Sequence, residues 1–222
     1  ITTPIAGDNI VNGAEATAGF NVTGRGTAGD TITLTNEAGT IIGTAVVTAG
    51  GTWSIPITQA NVTAMGQGLE TLNARATDTA GNSSTPATAS ITVDTIAPTA
   101  PTINVIAGDN IVNIVEANSG FDITGTGTAG DTITLTNEAG TLIGTTIVPA
   151  TGRWSIPVTQ ANVIAMGQGS ERLTATAADV AGNTTTTTAS ITVDTIAPTA
   201  PTINVIAGDN IVNGTEAVNG FN

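Results

Sequence analysis

The stretch TGTGTAGDTITLTNEAGTLIGTTIV at 124–148 decides the fold. In its middle, Ile133 and Leu135 alternate with Thr132, Thr134 and Thr136, a period of two that belongs to half-buried strands and not to helices. The same rhythm returns downstream. Leu173, Ala175 and Ala177 alternate with Arg172, Thr174 and Thr176, and Ala189, Ile191 and Val193 alternate with Ser190, Thr192 and Asp194. Every such strand has an apolar face and a threonine face. Glycine and Asx clusters (TAGD, NEAG, ATGR, AGN) punctuate the strands at the spacing of an all-β sandwich.

The stretch is also a copy. It recurs at 23–47 as TGRGTAGDTITLTNEAGTIIGTAVV, and WSIPITQANVTAMGQG at 53–68 recurs at 154–169 as WSIPVTQANVIAMGQG. VDTIAPTAPTINVIAGDNIVN stands unchanged at 93–113 and 193–213. The chain therefore divides into repeat 1 (1–93), a linker (94–101), repeat 2 (102–193), a second linker (194–201) and an incomplete third repeat (202–222). Within repeat 2 the pattern predicts strands at 102–107, 121–127, 132–137, 141–148, 153–158, 172–178 and 187–193, with a short helical turn inside 159–171. Pro157, on the outward parity of its strand, predicts an edge, because proline cannot donate to a ladder. About seven strands in about 100 residues is the size of an immunoglobulin-like sandwich, although the Cys-Trp-Cys signature of antibody domains is missing. Trp53 and Trp154 share parity with apolar neighbours, which predicts core positions over sugar-stacking platforms. The third repeat is expected to hold one strand and the start of another, too little to fold alone.

Composition excludes several functions. Of 222 residues, 17 are acidic and 4 basic, for a net charge of −13, and there is no histidine, cysteine, lysine or tyrosine. Nucleic acid is not an expected partner, since phosphate neutralisation needs clustered Lys or Arg. An anionic membrane surface would repel the chain. No apolar run reaches spanning length and no signal peptide opens the sequence, so the expectation is a soluble segment whose export address, if any, lies elsewhere. Without His, Cys, Lys or Tyr only carboxylate chemistry is left to an enzyme, and no unique acid pair stands out; the chain reads as non-catalytic.

The acids converge at particular places. The linker DTIAPTAP is stiffened by its prolines and joins the last strand of one sandwich to the first of the next. Strand lengths imply bricks on the order of 40 Å, strung end to end. Chain direction puts the loops of Asp131 and Asp179 at the leading end of repeat 2, with Asp30 and Asp78 their counterparts in repeat 1. Asp8 and Glu15, or Asp109 and Glu116 in repeat 2, lie at the trailing end. At the first junction Asp94 thus stands between Asp8 and Glu15 on one side and Asp131 and Asp179 on the other. Two carboxylates about 5 Å apart repel by roughly 3 kcal/mol at an effective dielectric near 20, so a tight cluster needs a counterion or must splay. Calcium suits an all-oxygen donor set, whereas zinc and copper want His or Cys. The other reading of the same acids is that they cap turns and keep the surface wet.

The quoted motifs, together with DTIAPTAPTI, WSIPV and TAADVAGNTTTTTASITVD, resemble the tandem bacterial Ig-like repeats of very large biofilm-associated surface adhesins. That resemblance covers essentially the whole chain. It implies an extracellular extender on a bacterial cell surface, whose neighbouring repeats are held in line by calcium at the domain junctions and which serves cell adhesion and biofilm formation. It also implies Asp94, Asp131 and Asp179 as ligands at the first junction, with Asp194 repeating the linker role at the second. Two alternatives stay open: a carbohydrate-binding module, and a filament in which 202–222 donates a strand to another copy.

Overall fold

A computed structural model describes residues 1–206 and 209–219, apart from the side chain of Glu216. Repeat 1 runs β1 (Ile10–Val11), α1 (Gly13–Ala18), β2 (Phe20–Arg25), β3 (Thr31–Thr35), β4 (Ile41–Val46), β5 (Thr52–Ile57), α2 (Gln59–Met65), β6 (Gly68–Thr77) and β7 (Ala87–Val93). Repeat 2 follows the same course: β8 (Ile111–Val112), α3 (Ile114–Ser119), β9 (Phe121–Thr126), β10 (Thr132–Thr136), β11 (Leu142–Ile147), β12 (Arg153–Val158), α4 (Gln160–Met166), β13 (Gly169–Ala178) and β14 (Thr184–Val193). Each repeat packs a five-stranded sheet, ordered β1-β7-β6-β3-β4 or β8-β14-β13-β10-β11, against a two-stranded one, β2-β5 or β9-β12. This is the all-β, Ig-like sandwich that the period of two implies.

The alternation explains the packing. Ile133, Leu135, Leu173, Ala175, Ala177, Ile191 and Val193 all face the repeat 2 core, where they meet Ile123, Trp154 and Ile156 of the second sheet. Both tryptophans are buried, and their Nε1 atoms donate to the carbonyls of Arg25 (3.3 Å) and Thr126 (3.1 Å). Neither indole offers a face to a sugar. Each lies on a glycine: a Cβ on Gly125 would come within 2.6 Å of the Trp154 ring, so no other residue fits there without moving the ring. Pro157 sits on β12, whose ladder partner is β9 alone, consistent with an edge.

Three expectations need correction. Residues 102–107 are not a regular strand. Thr102 N and Asn104 N donate to Thr126 O and Thr124 O (both 2.9 Å), so the segment lies along β9 on one side only. It then turns at 106–110, where Asn110 Oδ1 accepts from Ile106 N (2.9 Å), and rejoins the other sheet as β8, parallel to β14. The second correction is helix α3, which the period of two hid. Asn113 caps it and Glu116 reaches back to the Asn113 N–H (3.0 Å), a capping box repeated by Asn12 and Glu15 before α1. Third, β13 starts at Gly169, ahead of the expected 172, because Glu171 occupies a core-parity position. Its Oε1 accepts from Glu138 N at 2.6 Å, which lets a carboxylate sit where the pattern demands an apolar residue.

The remaining boundaries agree within a residue except β14, which begins at Thr184 in place of 187, and α4 supplies the helical turn. The third stretch carries no strand among its described residues; Ile206 N donates to Asn210 Oδ1 (3.0 Å), and a helix follows, α5 (Gly214–Asn219). The expected start of its second strand falls on 220–222, outside the described residues.

Candidate metal centre at the seam between the repeats

The trailing end of repeat 1 and the leading end of repeat 2 meet through one loop, Asp179 to Asn183. The loop is closed by its own bonds: Gly182 N to Asp179 O (3.1 Å), Asn183 N to Asp179 Oδ1 (2.9 Å) and Asn183 Nδ2 to Asp179 Oδ2 (3.0 Å). The glycine and Asx residues make this turn compact, and the turn aims Asn183 outward from its repeat. There it crosses the seam. Its Oδ1 accepts from Gly13 N and its Nδ2 donates to Asp94 O, both at 2.8 Å. Asn183 is only 8% exposed.

Asp131 lies beside this loop. It is 5% exposed, and its Oδ2 is the one buried side-chain oxygen or nitrogen among the described residues without a hydrogen-bond partner. Burial above all, and then the neighbouring charge of Asp179, push its carboxyl up from the ordinary aspartate value, while the Thr128 hydroxyl pulls the other way. An unpaired carboxylate oxygen out of water is costly unless a proton or a cation meets it. Asp94, half-buried, completes the neighbourhood; Oδ1 accepts weakly from Ile96 N (3.3 Å) and the main-chain carbonyl is held by Asn183.

The other candidate acids are engaged locally. Asp8 and Asp109 accept from Ile10 N (2.8 Å) and Ile111 N (2.9 Å), and Glu15 and Glu116 close the capping boxes. Asp194 is exposed and accepts from Ile196 N (3.3 Å). Asp30 is half-exposed. Asp78 is exposed and bonded by Asn82, whose side chain does most to hold its carboxyl below the ordinary value.

Among the described residues no three acids are gathered closely enough to cage an ion. The fit to a hard cation therefore rests on the orphaned oxygen of Asp131, the adjacent carboxylate of Asp179 and carbonyl oxygens at the seam. All donors are oxygen, which suits calcium and not zinc. Asn183 and Gly13 escaped the reading of the sequence, because their contact exists only once two repeats are stacked.

A family profile described as a bacterial Ig domain matches residues 7–94 and 97–194. Nothing among curated proteins matches. Among solved structures, a calcium-stabilised adhesin with which an Antarctic bacterium reaches out and binds ice is 33% identical over 97% of this chain and 54% of its own, with a TM-score of 0.51. A 1.5-MDa bacterial ice-binding adhesin, studied for its retention at the host cell surface, is 33% identical over 87% of this chain and 63% of its own, at a TM-score of 0.49. The fibronectin(III)-like modules of Clostridium thermocellum CbhA share the fold at 18% identity and a TM-score of 0.50, covering 88% of this chain and 93% of theirs. The chain spans a little over half the length of the two adhesin structures. It belongs to the bacterial Ig domain family, as two tandem copies similar to those of a bacterial adhesin.

Proposed function

We propose that the chain is a non-catalytic extender segment of a bacterial surface adhesin, which projects a binding region from the cell in adhesion and biofilm formation and is stiffened by calcium between its repeats. The carrying observation is Asp131: a buried carboxylate beside the loop that crosses the seam, facing Asp179, with one oxygen unmet. Asp131 and Asp179 supply the charge in this reading, and Asp94 the linker ligand. Asp194 plays the same part before the next repeat. The bound ion neutralises the carboxylates that otherwise repel beside the seam and ties them to the linker, so stacking is favoured over bending. Extracellular modules of this kind bind calcium at about 0.1 to 1 mM.

The test is a calcium titration of the chain followed by thermal unfolding and small-angle scattering. Calcium is expected to raise the melting temperature and lengthen the particle, and Asp131→Asn to remove both responses. Magnesium, which demands a tighter octahedral shell, should act weakly. Unchanged melting and scattering at 10 mM calcium would refute the metal reading.

A second reading, assembly of copies by strand donation, is favoured by the third stretch. Ile206 is 42% exposed where its counterpart Ile106 is 1% exposed, and Ile203 and Ile211 are open as well. Light scattering decides it: a strict monomer at high concentration removes this reading.

A further inference from the structure

We propose that the first residue of the short helix at the trailing end of each repeat selects the kind of seam that follows: glycine admits the asparagine lock, and isoleucine excludes it. In repeat 1 this residue is Gly13, whose N–H donates to Asn183 Oδ1 at 2.8 Å. A Cβ on Gly13 would lie 3.3 Å from that same oxygen and 3.4 Å from Thr95 O, so the γ-branches of an isoleucine have no room while Asn183 stays in place. The backbone does not ask for glycine. Gly13 is not among the glycines with positive φ, and Ile114 starts the equivalent helix α3.

The linker and its attachment are the same at the two exits. The linkers 94–101 and 194–201 are identical. Asp94 N and Asp194 N donate to Val11 O and Val112 O, both at 3.0 Å. Thr95 and Thr195 are gripped by Gln67 and Gln168 through the same pair of bonds. A following repeat is thus delivered to the same place and there meets Ile114 in place of Gly13. Val115 and Ile164 replace Ala14 and Thr63 beside it and stand 69% and 72% exposed, so the surface at the end of repeat 2 is apolar where that of repeat 1 is polar. The two exits of this chain therefore differ, locked after Gly13 and unlocked after Ile114, a property that linker sequence alone does not encode. This inference does not rest on calcium.

The chain has no cysteine, so nitroxides at Ser54→Cys and Ser155→Cys, both exposed, report the distance between repeats by pulsed electron resonance. At saturating calcium, Gly13→Ile is expected to broaden the distance distribution at least twofold and Asn183→Ala to do the same from the other side. Gly13→Ala, needing a shift of only tenths of an ångström, keeps it narrow. Repeat 1 tolerates the isoleucine as repeat 2 does, and an unchanged Trp emission checks this. A Gly13→Ile distribution as narrow as that of the parent overturns the proposal, as does equal broadening by Gly13→Ala, which would trace the effect to glycine's backbone. The calcium reading is judged separately, by comparing the parent with and without chelator.

Discussion

Asp30 and Asp131 end the same TAGD turn, one in each repeat, yet one is half-exposed and the other buried with an unmet oxygen. Asn82 and Asn183 close the same D-x-A-G-N loop, and each holds its aspartate with the same side-chain bond, 2.9 Å and 3.0 Å. Asn82 is exposed; Asn183 spans the seam. The two D-x-A-G-N loops share their internal bonds but differ at Thr79 and Val180 and in the residues that follow, and of the two asparagines only Asn183 is bonded to the other repeat, at Gly13 and Asp94. On the proposed reading, stacking turns a surface that is harmless in solution into an electrostatic problem, which a cation would relieve. The isolated leading end of repeat 1 is the control.

The largest expected effect breaks the equivalence with an ion. Calcium at a hundred times its dissociation constant should stabilise the chain by about 2.7 kcal/mol if it binds only the stacked form. Asp131→Asn should abolish this gain and Asp30→Asn leave it intact, read from melting curves with and without chelator. Equal losses would mean that the two turns bind ions independently and that the seam plays no part.

A smaller effect isolates the protein's own contacts. Asn82→Ala and Asn183→Ala each remove the bond to the loop aspartate, so subtracting one from the other leaves the two bonds across the seam. At about 1 kcal/mol each, the difference should be on the order of 2 kcal/mol in the unfolding free energy from urea titration. A difference near zero would show that the contact is too exchangeable with water to hold the repeats.

Much of this fold is legible from pattern, because its strands are amphipathic and Thr132–Thr136 can be read by parity alone. The failures share a cause. Glu171 breaks the parity of β13 because a backbone N–H from the adjacent hairpin satisfies it, and α3 is only six residues long, set by its capping box and not by an apolar stripe. Residues 102–104 pair on one side only, so they lack the strict alternation of a ladder strand. For the site, chain direction brings Asp94, Asp131 and Asp179 to one junction, but not Asn183 or Gly13, whose roles depend on a docked neighbour. Glu15 and Glu116 were equally readable as caps from the N-x-x-E spacing, and it is as caps that the structure uses them.

The smallest effect is a pair of opposite pH responses in chelator. The Asp131 carboxyl is raised in the folded chain, so its contribution to stability is complete below the ordinary aspartate value and is lost as pH rises through the folded value. Acidifying from neutrality should therefore relieve the seam, and Asp131→Asn should remove that relief. Asp78 is lowered, so its contribution is present above the ordinary value and is lost as pH falls through the folded one. Its full exposure makes the loss slight, and Asp78→Asn should erase it. Unfolding followed from pH 7 to pH 2 separates the two, because the Asp131 response comes first on acidification and has the opposite sign. If the parent and Asp131→Asn chains lose stability in parallel over that range, Asp131 is hydrated and the seam is open in solution.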